Sequence, residues 1–164
     1  MGVLGGNQTA THYFPNNSSN IKSGTLINWY LYLYNHMSVP KNIMIKVKLL
    51  NSTLPGPSDI TDSASPIASF LSINQTLASN VTQILPFFFL INKATLSNNL
   101  LKITSIQVNN MIFPVNIQTI NGQPIRLVFE LWSSNIGSNN YVYSWVPNQG
   151  FNPVWNEIWF SVTP

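Results

Sequence analysis

One stretch limits the fold more than any other: Thr25 to Leu50, TLINWYLYLYNHMSVPKNIMIKVKLL. In its first half Ile27, Trp29, Leu31 and Leu33 alternate with Asn28, Tyr30, Tyr32 and Tyr34. In its second half Ile43, Ile45, Val47 and Leu49 alternate with Met44, Lys46 and Lys48. Successive strand side chains point to opposite faces, so a period of two builds one apolar face and one amphipathic face. Between the halves, Asn35-His36-Met37-Ser38-Val39-Pro40 holds turn residues and a proline that cannot donate to a ladder. The stretch predicts an antiparallel hairpin with one face buried.

The rest of the chain repeats this grammar. Residues 1–11 read as a flexible leader, and residues 12–164 as a single domain. His12 to Pro15 is a candidate edge strand. Asn51 to Pro66, NSTLPGPSDITDSASP, is a long loop, because three prolines and small polar residues exclude helix and central strand. Short strands are predicted at Ile67–Ile73 and Val81–Ile91, the latter with Pro86 inside a near-continuous apolar run. Over Ala94–Ile103 a helical turn competes with strand. Asn109-Asn110 and Asn121-Gly122 predict tight hairpins, since these residues tolerate positive φ. Ile125 to Trp132 predicts a strand with Ile125, Leu127, Phe129 and Leu131 inward and Arg126, Val128, Glu130 and Trp132 outward. Tyr141–Val146 and Trp155–Val162 complete the strands, separated by a Pro147–Pro153 loop. Eight or nine short strands and no amphipathic helix predict an all-β, two-sheet antiparallel β-sandwich of the immunoglobulin-like kind. An up-and-down or jelly-roll arrangement is the alternative, because the cysteine pair of true immunoglobulin domains is missing.

Charge removes whole classes of function. Only 7% of residues are charged, with Lys+Arg 7 against Asp+Glu 4, whereas ordinary soluble domains carry about 25%. A phosphate-binding surface needs clustered Lys and Arg. Lys46 and Lys48 are the one close pair, so nucleic acid is not an expected partner. There are no cysteines, which removes disulfides, thiolate nucleophiles and Cys-based metal sites. Asp59 and Asp62 share the long loop without a third ligand, so no metal and no cofactor are expected. The low charge and high Asn, Ser and Thr content point to an extracellular setting. The Gly-rich start suits a piece of a longer, membrane-anchored protein, with any membrane contact made by a segment outside this chain.

The inventory for catalysis is thin. His12 and His36 are the imidazoles; His36 sits at a turn with no nucleophile or orienting partner near in sequence, so a turn-bonding role is expected. Glu130 and Glu157 fall on strands that could pair, superficially like a glycosidase couple, but Arg126 and the lysines offer simple charge partners. A non-enzymatic domain is therefore expected. The aromatic residues offer a binding surface instead. Tyr30, Tyr32 and Tyr34 form a stripe, and Trp132 and Trp159 face outward on other strands; flat aromatics stack on sugars or anchor a protein partner. The competing expectation is that loops cover them or that cross-strand pairing absorbs them. Asn-X-Ser/Thr acceptors begin at Asn7, Asn16, Asn17, Asn51, Asn74 and Asn80. Roughly four would occur by chance in so Asn- and Ser-rich a chain, but all precede residue 81 and most lie in loops, as on a glycan-bearing surface.

Three segments, YNHMSVPKNIMIKVKLLNSTLP, NGQPIRLVFELW and FNPVWNEIWFSVTP, carry a resemblance. The chain resembles a family of uncharacterised archaeal membrane-associated proteins in which membrane helices precede an extracytoplasmic β-sandwich. The matching positions include Asn35-His36 and Phe129-Glu130-Leu131-Trp132. The resemblance implies no activity and carries over no functional residue. It implies a cell-surface structural or recognition role, with a protein or glycan as partner. A carbohydrate-binding module and a strand-exchanging filament subunit are the alternatives; the oligomeric state is not readable.

Overall fold

A computed structural model describes residues 1–138, 140–143 and 153–164. Among these, ten strands form two five-stranded sheets packed face to face. In chain order they are β1 (Gly2–Leu4), β2 (Asn20–Lys22), β3 (Ile27–Tyr34), β4 (Lys41–Asn51), β5 (Leu71–Leu77), β6 (Thr82–Ser97), β7 (Leu100–Val108), β8 (Met111–Ile120), β9 (Ile125–Ser134) and β10 (Val154–Thr163). One sheet has the order β1-β3-β6-β7-β8, the other β2-β10-β9-β4-β5. All pairs are antiparallel except β2 with β10. The expected β-sandwich is present, in a five-on-five form larger than the four-on-three of constant-type immunoglobulin domains.

The period-two faces fall as read. Ile27, Trp29, Leu31 and Leu33 face Ile43, Ile45, Val47 and Leu49 across the core, and all eight are buried. Trp29 is the hub, with Phe89 at 4.7 Å, Phe14 at 5.6 Å and Phe129 at 6.3 Å between ring centroids.

The expected hairpin between these two strands is not formed. β3 pairs with β1 and β6, whereas β4 pairs with β5 and β9. Residues 35–40 form an arch that carries the chain from one sheet to the other. A period of two fixes which face is buried; it does not fix the neighbouring strand, so a hairpin and an arch write the same pattern. Asn35 holds the arch. Its side chain is fully buried; Nδ2 donates to the carbonyls of Val39 (3.0 Å), Leu77 (3.2 Å) and Ala78 (3.1 Å), and Oδ1 accepts from Met37 N (2.9 Å). Asn121-Gly122 is likewise a corner between sheets, because β8 and β9 lie in different layers.

Other boundaries move for local reasons. Gly2–Leu4, expected within the leader, pairs with Tyr30–Tyr32 of β3. The backbone then folds tightly on itself: Gly5 N donates to Thr9 O at 2.8 Å, and a Cβ on Gly5 would lie 2.0 Å from Thr11 O. Tyr13 and Phe14 form no edge strand; they plug the core beside Trp29, whose Nε1 donates to Tyr13 O. The strand expected at Ile67–Ile73 begins at Leu71. β6 runs on to Ser97, so the helical alternative for Ala94–Ile103 is replaced by a β6–β7 hairpin turning at Asn98 and Asn99, both at positive φ (50° and 61°). The Asn109-Asn110 hairpin forms as expected, with Val108 opposite Met111. Tyr141–Val146 shows only the Ser133–Val142 bridge; its last three residues and most of Pro147–Pro153 lie outside the described residues.

Candidate interaction surface

The two outer sheet faces differ in kind. On the β2-β10-β9-β4-β5 sheet, alternation turns Lys46, Lys48, Arg126, Glu130, Trp132, Trp155, Glu157 and Trp159 outward. The long loop of residues 51–66 lies over them and is pinned at three places. Glu130 accepts from Lys48 Nζ (2.9 Å to Oε1, 2.8 Å to Oε2) and from Ser65 N (2.7 Å), while Lys48 also donates to Ser65 O (2.6 Å). Arg126 pairs with Glu157 at 2.8 Å and donates to Leu54 O at 2.9 Å. Trp155 Nε1 donates to Asp59 Oδ1 at 2.7 Å. Gly56 permits this approach, since a Cβ there would stand 3.0 Å from the Arg126 guanidinium.

Glu130 and Val128 point outward from the sheet as read, but the loop covers them and both are fully buried. Trp132 and Trp159 are half-buried and engaged: Lys46 Nζ sits 3.5 Å from the Trp132 ring centroid, and Arg126 lies 4.5 Å from that of Trp159. Trp159 also donates to Glu157 at 2.9 Å. Each of these two tryptophans thus has a cation against its ring. Burial lowers the Lys46 pKa, Lys48 lowers it further and Glu130 opposes. Tyr143, packed 5.6 Å from Trp132, has its phenol pKa raised by burial first, then by Glu130 and Asp59. Glu130 and Glu157 do not converge on shared open space; each is bound into its own cation pair, as charge partners in sequence suggested.

The β1-β3-β6-β7-β8 sheet presents a different outer face. The tyrosine stripe is there: Tyr30 and Tyr34 are half-exposed and Tyr32 is 36% exposed. Ile84, Pro86, Phe88 and Leu90 of β6 continue it, with the Tyr30 ring 5.6 Å from that of Phe88. Leu26, Pro86, Phe88 and Leu90 line a depression of about 340 Å³ that Gln107, Asn109 and Asn110 rim with amides. No charged side chain lines it. The stripe thus belongs to a wider apolar face that sequence reading missed, because the partner strand β6 is 48 residues or more away in the chain and its pairing carries no local signal. The signal available was the run Ile84–Ile91, whose even members are as apolar as its odd ones.

His36 is exposed and packs on Tyr34 at 4.0 Å; His12 is exposed beside Thr11. Asp59 and Asp62 gather no third ligand, and no group of three potential metal donors occurs among the described residues. Of the candidate glycan acceptors, Asn7, Asn16, Asn17, Asn74 and Asn80 are exposed. Asn51 is committed to the fold: Oδ1 caps Thr53 N and Leu54 N, and Nδ2 donates to Gln118 O at 2.8 Å. Among the described residues, no helix is long and apolar enough to cross a membrane. Set against known proteins, the chain matches no protein-family model and has no significant match among curated sequences.

Proposed function

We propose that this domain is a non-enzymatic recognition element at the outer surface of a cell, of the immunoglobulin-like kind, held to the membrane by a segment beyond these residues, as in the archaeal group that its three segments resemble. The observation that carries the reading is the asymmetry of the two outer faces. One is partly covered by residues 51–66, with its carboxylates bound into structural pairs and its tryptophans half-buried. The other leaves Tyr32 36%, Ile84 41% and Leu26 53% exposed beside Phe88 and Leu90. Contiguous apolar surface of this kind marks interaction sites. The low charge of the chain and its exposed Asn acceptors suit a glycan-bearing exterior.

The test is antibody labelling of intact source cells, with and without permeabilisation. Labelling of intact cells is expected. Labelling that appears only after permeabilisation would remove the surface assignment.

A further inference from the structure

β6 is flanked unevenly. On one side β3 pairs with it from Thr82 to Phe89; on the other, β7 begins only at Phe89. Among the described residues, no strand lies against that second side of Thr82–Phe88. The phase of the ladder shows what is left there. Phe88 O accepts from Asn109 N at 2.8 Å, and Phe88 N donates to Asn109 Oδ1 at 2.9 Å. Main-chain groups along a strand alternate between its two neighbours. Thr82, Ile84, Pro86 and Phe88 therefore all aim their main-chain groups away from β3. That explains a proline in a central strand: Pro86 forfeits no bond to β3.

Asn109 fills part of the gap. Its Nδ2 donates to Pro86 O at 3.0 Å, so its carboxamide stands where a neighbouring peptide group would. Past it, the amides and carbonyls of Thr82 and Ile84 point outward, and among the described residues nothing bonds them. Beside this edge a groove of about 340 Å³ opens between the sheets, lined by Leu71, Ile73, Leu85, Val108 and Met111. No lining residue is charged. Gln75, bonded to Gln83 at 3.2 Å, Ser72 and Asn109 supply its polar lining.

We infer that this notch accepts an extended, uncharged polypeptide strand with alternating apolar side chains. The strand adds to β6 at Thr82 and Ile84 and lays its apolar side chains between β5 and β6. Only a peptide main chain offers donors and acceptors at the strand repeat, and the uncharged lining excludes an ionic partner. The open part of the edge, Thr82–Leu85, spans about 13 Å; beyond it Asn109 already occupies the places beside Pro86 and Phe88. This names the partner class for the recognition role proposed above and rests on it. The two tests are separate, because strand binding is measured on the purified domain and cell labelling is not.

The probe is a fluorescent alternating threonine–valine heptapeptide, read by anisotropy. Saturable binding to the native chain is expected. Ile84→Pro should weaken it roughly tenfold or more, by removing an edge amide at a position where, as at Pro86, no β3 bond is lost. Met111→Lys should weaken it as well, since Met111 is 58% exposed and the change charges the groove without emptying the core. A peptide N-methylated at alternate residues should not bind. No saturable binding to the native chain would overturn the inference. So would equal binding of the N-methylated peptide, or full affinity in folded Ile84→Pro. If Ile84→Pro does not fold, Met111→Lys and the N-methylated peptide decide the matter between them.

Discussion

Glu130→Ala should be among the most damaging changes available on the outer face of the β4–β9 sheet. Glu130 is fully buried and Lys48 is 3% exposed. The carboxylate receives Lys48 and the Ser65 amide, and Trp132 Nε1 at a longer 3.4 Å. Its removal leaves the Lys48 ammonium in a dry site with one remaining partner, Ser65 O at 2.6 Å. Breaking a buried pair from one side costs about 3–5 kcal/mol, against a total stability of about 5–15 kcal/mol for a domain. With a urea dependence of about 2 kcal/mol per M, the unfolding midpoint should fall by about 1.5–2.5 M. The double variant Lys48→Met, Glu130→Leu separates the causes. It removes both charges, so most of the loss should return, but Ser65 N stays unpaired and a deficit of about 1–2 kcal/mol should persist. Urea titration of all three proteins by tryptophan fluorescence is the assay. A loss below about 1 kcal/mol for Glu130→Ala, or a double variant no better than the single one, would refute the reasoning.

Three further outcomes are expected. Asn35→Ala leaves three carbonyls and the Met37 amide of the arch without their side-chain partner, and should lower unfolding stability by about 2–4 kcal/mol in calorimetry; an unchanged transition would show that water replaces the amide at no cost. Gly5→Ala places a methyl 2.0 Å from Thr11 O; the 5–12 turn must open, and amide exchange at Val3 and Leu31 should accelerate, whereas unaltered exchange would mean that the turn is not tight. Tyr143 is held neutral by burial and by Glu130 and Asp59, while an unfolded tyrosine ionises near about pH 10. Its raised folded pKa gives stability that is complete below that pH and is lost as pH climbs from there toward the folded value. Native protein should therefore lose midpoint more steeply than Tyr143→Phe between about pH 9.5 and 11; parallel slopes would contradict this.

Faces were legible in the sequence and neighbours were not. Ile27, Trp29, Leu31 and Leu33 had to turn inward together, because a one-residue slip would bury Asn28 and Tyr32. Nothing in that alternation distinguishes a same-sheet partner from one across the core, so the arch at Asn35 read as a hairpin. Asn98-Asn99 and Asn109-Asn110 are the same turn chemistry, yet the first was obscured by the helix-compatible Leu100, Leu101 and Lys102 after it. The outward direction of Glu130 and Trp132 was correct along β9, but the burial of Glu130 depends on a loop that departs 70 or more residues earlier. The depth of the leader turn hangs on Gly5, whose need for backbone approach leaves no pattern around it.

The most direct measurement is site-resolved amide exchange along β6. The described pairing requires slow exchange at Gln83, Leu85 and Phe87, which bond to β3, and at Phe88, which bonds to Asn109. Thr82 and Ile84 should exchange fast. Equal protection of Thr82 and Ile84 with Leu85 and Phe87 in the isolated domain would mean that the edge is already covered, and would contradict the open β6 edge on which strand recognition stands.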